Sequence, residues 1–326
     1  MLRFLALSLS MCTRVRAFRA RASGTRAAAR TPPRRALLRF GAAAGADGVA
    51  RITSEKNELI KLCKSLHQRK HRKSTGLVLV EGMRLVTDAL RSGCAPHTVL
   101  IADEADVPEA LLSAAAAANV TLVYAPAKLV NSACDTVSPQ GAVGLVYRPA
   151  AVAPSAPSLV LALDGVSDPG NLGALIRTAA AAAVDAVVVV GTQSADAWSP
   201  KALRAAMGAT FRVPLLECET WAEADALLRK EWRLSVRAAD LGPQSAAYDA
   251  VSWQRSAVVV GGEIGLSAEL LELLATSSDN SLSRVHIPMA GAVESLNAAV
   301  AGSAILLEAR RQLRADAARF RADAAR

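Results

Sequence analysis

The stretch Leu159-Val-Leu-Ala-Leu-Asp164-Gly-Val-Ser-Asp168-Pro-Gly-Asn171-Leu-Gly173-Ala-Leu-Ile-Arg177-Thr178 decides the fold. Five consecutive apolar residues form a strand buried on both faces, which predicts a mostly parallel sheet. Asp-Pro-Gly-Asn then turns the chain, and an apolar-periodic helix follows over 172–183. Strand, turn and helix in that order bring Asp164, Asp168, Asn171 and the helix's first N–H groups to the strand's carboxyl end, where α/β proteins bind ligands. Read alone, the stretch is equally an Asp-Pro turn with Asn171 capping a helix whose Arg177 is solvated.

Further along, strands are predicted at 186–190, 211–215, 234–238, 257–260 and 284–287. Helices are predicted at 200–207, 221–231, 267–274 and from Ser295 to about 313. Two of these strands again run into polar, glycine-containing loops. Val258-Val-Val-Gly261-Gly262-Glu263-Ile264-Gly265-Leu266-Ser267 offers backbone against which a flat ligand can lie. Its lone Gly-Gly-x-x-Gly is not a dinucleotide-binding fingerprint. Ile287-Pro288-Met289-Ala-Gly291-Ala-Val-Glu-Ser295-Leu296-Asn297 leads into a helix of small residues (Ala298, Ala301, Gly302, Ala304), which implies close packing. Ser295 is the expected N-cap there.

Upstream, strands at 76–80, 98–101, 120–124 and 143–147 alternate with helices over 82–91 and 109–118, an arrangement that indicates a second, smaller α/β domain. Pro149 to Pro157 reads as a stiff linker. Charge is distributed unevenly. Residues 1–50 hold ten arginines and a single acid, Asp47, so they carry the whole net charge of +9. That Ala-, Arg- and Ser-rich composition is expected of an organellar leader, with Phe4 to Ser10 resembling a short signal-type apolar core; a basic RNA-binding arm is the alternative. Arg51 to Lys73 then carries eight basic residues against Glu55 and Glu58. The pattern Ile52, Leu59, Ile60, Leu62, Cys63, Leu66 is helical and leaves Lys56, Lys61, Lys64, Arg69, Lys70, Arg72 and Lys73 for other faces. A localised cationic stripe of this kind suits phosphate contacts, and a solvated helix face suits it equally.

The five cysteines are scattered singly and the two His residues 67 and 71 lie among cations, so no metal or disulfide framework is expected. No segment offers an uninterrupted membrane-spanning apolar run, so no membrane partner is expected either.

The three loop motifs, in order and spacing, resemble those of the SpoU (TrmH-like) RNA ribose 2'-O-methyltransferases of the SPOUT superfamily. The first resembles D-x-x-x-D-P-x-N-x-G-x-x-x-R-T and the third I-P-M-x-G-x-x-x-S-L-N. In the second, Ile264 alone separates Glu263 from Gly265, where the family usually carries two residues. Ser54, Asn57, Lys61, Arg69-Lys70, Arg72, Gly76, Val80-Glu81-Gly82, Arg84 and Ser138-Pro-Gln-Gly141 resemble that family's substrate-binding domain.

The resemblance implies an RNA-binding domain over 51–148, a linker over 149–157, a trefoil-knotted methyltransferase domain over 158–312 and an Arg/Ala-rich tail over 313–326, behind an organellar leader over 1–50. It implies S-adenosyl-L-methionine as donor, held by Gly261 to Leu266, Ile287-Pro288-Met289 and Ser295-Leu296-Asn297, and a homodimer. Arg177, Asn171, Ser295 and Asn297 take the catalytic places. Lys56, Lys61, Lys64, Arg69, Lys70, Arg72, Lys73 and Arg84 take the RNA-binding ones. The expected substrate is organellar large-subunit rRNA, in mitochondrion or plastid; tRNA methylation and a non-catalytic ribosome-assembly protein of the same fold are the alternatives. An arginine stays protonated, so Arg177 is expected to hold a phosphate and stabilise the developing alkoxide rather than to act as a base.

Overall fold

The computed structural model describes residues 43–44, 50–277, 279–291 and 295–324. The expected leader, apart from three of its residues, lies outside them. The chain divides into two compact units. The first comprises residues up to Ala150 together with Asp196–Arg212, and the second Ala151–Ala195 with Val213–Arg326.

In the first unit, strands β1 (Ala43–Ala44), β2 (Ala50–Arg51), β3 (Leu77–Glu81), β4 (Pro96–Ala102), β5 (Leu122–Ala125) and β6 (Ala142–Tyr147) form a mixed sheet in the order β1-β2-β5-β4-β6-β3. Helices α1 (Glu58–Ser65), α2 (Arg69–Thr75), α3 (Met83–Arg91), α4 (Glu109–Ala117) and α5 (Ala127–Ser132) accompany it. Leu59, Ile60, Cys63 and Leu66 pack with Leu77, Leu79, Leu100 and Leu145 in one core.

The helical pattern read from Ile52 to Leu66 is realised as α1 alone, and the basic residues after it form a second helix, α2. Asn57 caps α1 by accepting from the Leu59 amide at 2.9 Å, so Ile52 stays outside. The helix ends at Ser65, and the carbonyls of its C-cap and of the next residue are taken up by a side chain: Arg72 Nη1 donates to Leu66 O at 2.6 Å and to His67 O at 2.8 Å. Arg72 is only 6% exposed, and its Nε and Nη2 donate to Asp196 Oδ2 at 3.0 and 2.6 Å. Its place in the RNA-binding set is therefore corrected, since a buried guanidinium with four of its five N–H groups held by a carboxylate and two carbonyls is not presented to a phosphate.

Asp196 belongs to the connection between β8 (Ala186–Val190) and β9 (Leu215–Cys218), yet the whole Asp196–Arg212 segment folds into the first unit. Its helix α6 (Pro200–Ala206) packs on β3. Arg204 pairs with the buried Glu81, Arg212 with Asp88 at 3.2 Å, and Trp198 lies under Arg148 and against Phe211. The strand expected over 211–215 is displaced for a local reason: Ala209–Phe211 form a 3-10 turn, and Pro214, lacking an N–H, delays the strand until Leu215.

The second unit is a seven-stranded sheet in which every pair is parallel. With β7 (Leu159–Asp164), β10 (Ser235–Ala239), β11 (Ala246–Ala247), β12 (Ser256–Gly261) and β13 (Leu282–His286), the order is β11-β13-β10-β12-β7-β8-β9. Helices α7 (Pro169–Ala181), α8 (Trp221–Asp225, continued by a π-helical turn Ala226–Glu231), α9 (Ala268–Thr276) and α10 (Ala298–Ala324) complete it. Gly302 of α10 allows its contact with α7 and β12: a Cβ there would meet Leu175 Cδ2 at 2.6 Å and Val260 Cγ2 at 2.7 Å. Thr178 and Ser303 share a hydrogen bond of 2.8 Å across the same contact.

Candidate functional site

Because the strands are parallel, the loops after β7, β12 and β13 leave from the same edge of the sheet, and β7 and β12 are neighbours with Asp164 opposite Gly261. The first two loops touch backbone to backbone. A Cβ on Gly262 would meet the Gly165 carbonyl oxygen at 2.3 Å, and one on Gly261 the Gly265 oxygen at 2.7 Å. Gly262-Glu263-Ile264-Gly265 is a tight turn closed by Gly265 N–H donating to Gly262 O at 3.0 Å. Gly265 has φ +89°, a conformation side chains disfavour.

Asp168 caps α7 by accepting from the Asn171 backbone amide at 2.8 Å, which corrects the reading of Asn171 as the cap. The Asn171 side chain is thereby free to join the loops. Its Nδ2 donates to Glu263 Oε1 at 3.3 Å, and its Oδ1 accepts from Asn297 Nδ2 at 3.1 Å. One residue from each motif thus enters a single chain of side-chain hydrogen bonds. Asn297 also caps α10, its Oδ1 accepting from Ala299 N at 2.9 Å and Val300 N at 3.3 Å. The cap expected at Ser295 is corrected accordingly: the helix starts three residues later, and Ser295 is exposed.

Arg177 is exposed on α7. Ile264 is fully exposed, Leu266 and Ile287 are half-buried, Pro288 and Leu296 are exposed and Met289 is half-buried. Glu294 lies outside the described residues.

Sequence reasoning missed what Asp164 and Trp221 do. Asp164 is 2% exposed; Oδ1 accepts from the Trp221 indole at 2.7 Å and Oδ2 from the Ser267 amide at 2.7 Å. Trp221 N in turn donates to Glu269 Oε2 at 2.8 Å. The acid at the strand end was visible; its indole partner, 57 positions away, carried no local signal.

In the first unit, Lys56, Lys61, Lys64, Lys70, Lys73 and Arg84 are exposed and Arg69 is half-buried. Lys61 pairs with Glu58 at 2.7 Å. Among the described residues no group of three His, Cys, Asp or Glu could hold a metal ion, and no helix is long and apolar enough to cross a membrane.

A parallel sheet with three knitted loops at the carboxyl ends of its strands, in a chain that also carries a smaller α/β unit, is the architecture of SPOUT-type methyltransferases. The chain belongs to the SpoU rRNA methylase family, whose pattern matches residues 158–307, while an MRM3-like substrate binding domain matches 57–144. It is 34% identical over 261 residues to the 23S rRNA (guanosine(2553)-2'-O)-methyltransferase RlmP of Bacillus subtilis (strain 168), covering 79% of this chain and 98% of the relative. Mouse (Mus musculus) rRNA methyltransferase 3, mitochondrial, is 32% identical over 306 residues, covering 76% and 70%. A solved AdoMet-bound rRNA methyltransferase from Sinorhizobium meliloti superposes with a TM-score of 0.68 at 31% identity, covering 81% of this chain and 98% of that one.

Proposed function

We propose that this chain transfers a methyl group from S-adenosyl-L-methionine to a ribose 2'-hydroxyl of mitochondrial large-subunit rRNA. The observation that carries the reading is the Glu263–Asn171–Asn297 hydrogen-bond chain, which joins the three family motifs into one site on the α7 that bears Arg177. Relatives named as rRNA methyltransferases, several of them mitochondrial, and AdoMet-bound structures of the same fold support donor, substrate and compartment.

The residues present fit the donor: glycine backbone at Gly261, Gly262 and Gly265 carries the apolar Ile264 and Leu266 in the same turn, with Leu266 against Gly261. When bound, the donor supplies an electrophilic sulfonium methyl. Glu263 and Asn297 fix the two ends of the Asn171 amide, so that group is oriented before substrate arrives. Arg177, always charged and exposed, binds the neighbouring phosphate and stabilises negative charge developing on the ribose oxygen. In the first unit, Lys56, Lys64, Lys70, Lys73 and Arg84 supply sequence-independent phosphate contacts. Pairing of two copies through α10 is supported by Val300 and Leu307, 55% and 53% exposed at a spacing of seven on one helix face.

The test is transfer of labelled methyl from S-adenosyl-L-methionine to fractionated mitochondrial RNA from cells lacking the protein. Label in large-subunit rRNA that vanishes in Arg177→Ala, with donor affinity retained, is the expected result. Label confined to tRNA would overturn the substrate, and no label in any fraction would overturn the enzyme.

A further inference from the structure

Asp164 holds both ends of the loop after β12. Its backbone oxygen accepts from the Gly262 amide at 3.0 Å, where the loop begins, and its carboxylate Oδ2 accepts from the Ser267 amide at 2.7 Å, where the loop ends. The four residues between those anchors include Glu263, which reaches Asn171, and Gly265, which closes the turn. The other carboxylate oxygen is occupied by the Trp221 indole. Among the described residues no arginine or lysine pairs with Asp164, so a nearly fully buried carboxylate is held by two neutral donors.

Burying a carboxylate without a counter-charge is expensive. What it supplies is two acceptor oxygens facing two donors on separate segments, which an asparagine, with one oxygen and one NH2, cannot reproduce. We propose that Asp164 is the positioning residue for donor binding: its backbone oxygen and its Oδ2 hold the two ends of the Gly262–Leu266 loop like a staple, while its Oδ1 is taken up by the Trp221 indole. This rests on the reading of that loop as the seat of S-adenosyl-L-methionine.

The experiment measures the dissociation constant of S-adenosylhomocysteine by calorimetry, kcat at saturating donor, and the melting temperature without ligand, on the full chain. In Asp164→Asn the amide nitrogen must face either the indole N–H or the Ser267 N–H, and the staple is weakened. Donor binding falls about tenfold or more, while kcat at saturating donor stays within about threefold. Trp221→Phe removes one donor and leaves Ser267 held, so binding stays near that of the parent. In Asp164→Asn/Trp221→Phe the amide nitrogen turns toward the phenyl ring and its oxygen returns to Ser267, so the double variant recovers donor binding that the Asn variant lost.

A double variant that folds and binds as weakly as Asp164→Asn, or an Asn variant that binds like the parent, overturns the proposal. If Asp164→Asn fails to fold, the double variant decides alone: binding near that of Trp221→Phe supports the staple, and a folded double variant with tenfold weaker binding overturns it. Gly262→Ala separates the two levels, because its Cβ cannot coexist with the Gly165 oxygen at 2.3 Å. Unchanged donor binding there would show that the loop is not the donor's seat, overturning the functional reading together with the staple; lost binding there alongside unchanged binding in Asp164→Asn overturns the staple alone.

Discussion

Replacing Asp196 with Asn tests whether Arg72 is structural. The two side chains are 5% and 11% exposed, so solvent screening takes little from their interaction. Asp196 Oδ1 accepts from the Trp198 amide at 2.9 Å, and Oδ2 takes both Arg72 contacts. An asparagine that keeps the first bond points its NH2 at the guanidinium, leaving a buried cation without its counter-charge. Breaking a buried pair in this way costs about 3–5 kcal/mol, a fall of roughly 4–9 °C in melting temperature for a chain of this size. Calorimetric melting of parent and variant gives the number. The pair Arg72→Met/Asp196→Leu removes both charges, and it is expected to lie well above the sum of the two single losses, since apolar replacements of buried pairs are often tolerated. A loss below about 1 kcal/mol in Asp196→Asn, the range of an exposed pair, would refute the assignment and return Arg72 to the candidates for phosphate contact.

Three other outcomes are expected. Joint Lys64→Ala, Lys70→Ala and Lys73→Ala should leave stability within about 0.5 kcal/mol while lowering RNA affinity and flattening its dependence on log salt by roughly 2–3; titration at several salt concentrations checks both. Gly302→Ala forces a methyl to within 2.6 Å of Leu175 and 2.7 Å of Val260, so denaturant melts should show a loss of about 1–3 kcal/mol. Burial pushes the thiols of Cys63, Cys134 and Cys218 up to about 12 and that of Cys94 up to about 11. Burial disfavours the thiolate, the reactive form, so these four should resist iodoacetamide at pH 8 in the native protein and react once it is unfolded in urea; mass spectrometry reads the difference.

The central strands were legible because nothing but burial on both faces explains runs such as Leu159 to Leu163 or Val258 to Val260. The three loops were legible for the same reason: polar residues and glycines at strand ends in a recurrent spacing. What escaped reading depended on distant partners. Ala197, Trp198, Leu203 and Ala206 announce a buried segment, but not that it is buried in the first unit rather than on its own sheet. Arg72 looked like its exposed neighbours because its acid lies 124 positions away. Ser295 and Asn297 are both good caps by residue type; only the helix's start at Ala298 chooses between them.

The assignment of Asp196–Arg212 to the first unit bears on how the chain matures. A polypeptide that emerges from its N-terminus has passed β1 to β6 by Tyr147, yet the acid that neutralises Arg72 and the helix that covers β3 come about 50 to 60 residues later. During that interval β7, α7 and β8 of the other sheet are already present, without the β12 that will flank β7. Neither unit can be completed before the other has begun, and each exposes apolar strands while it waits. Folding of the two is interleaved in time, which makes the nascent chain a natural client for chaperones and leaves no point between Ala150 and Arg212 at which a truncated product would be a finished domain.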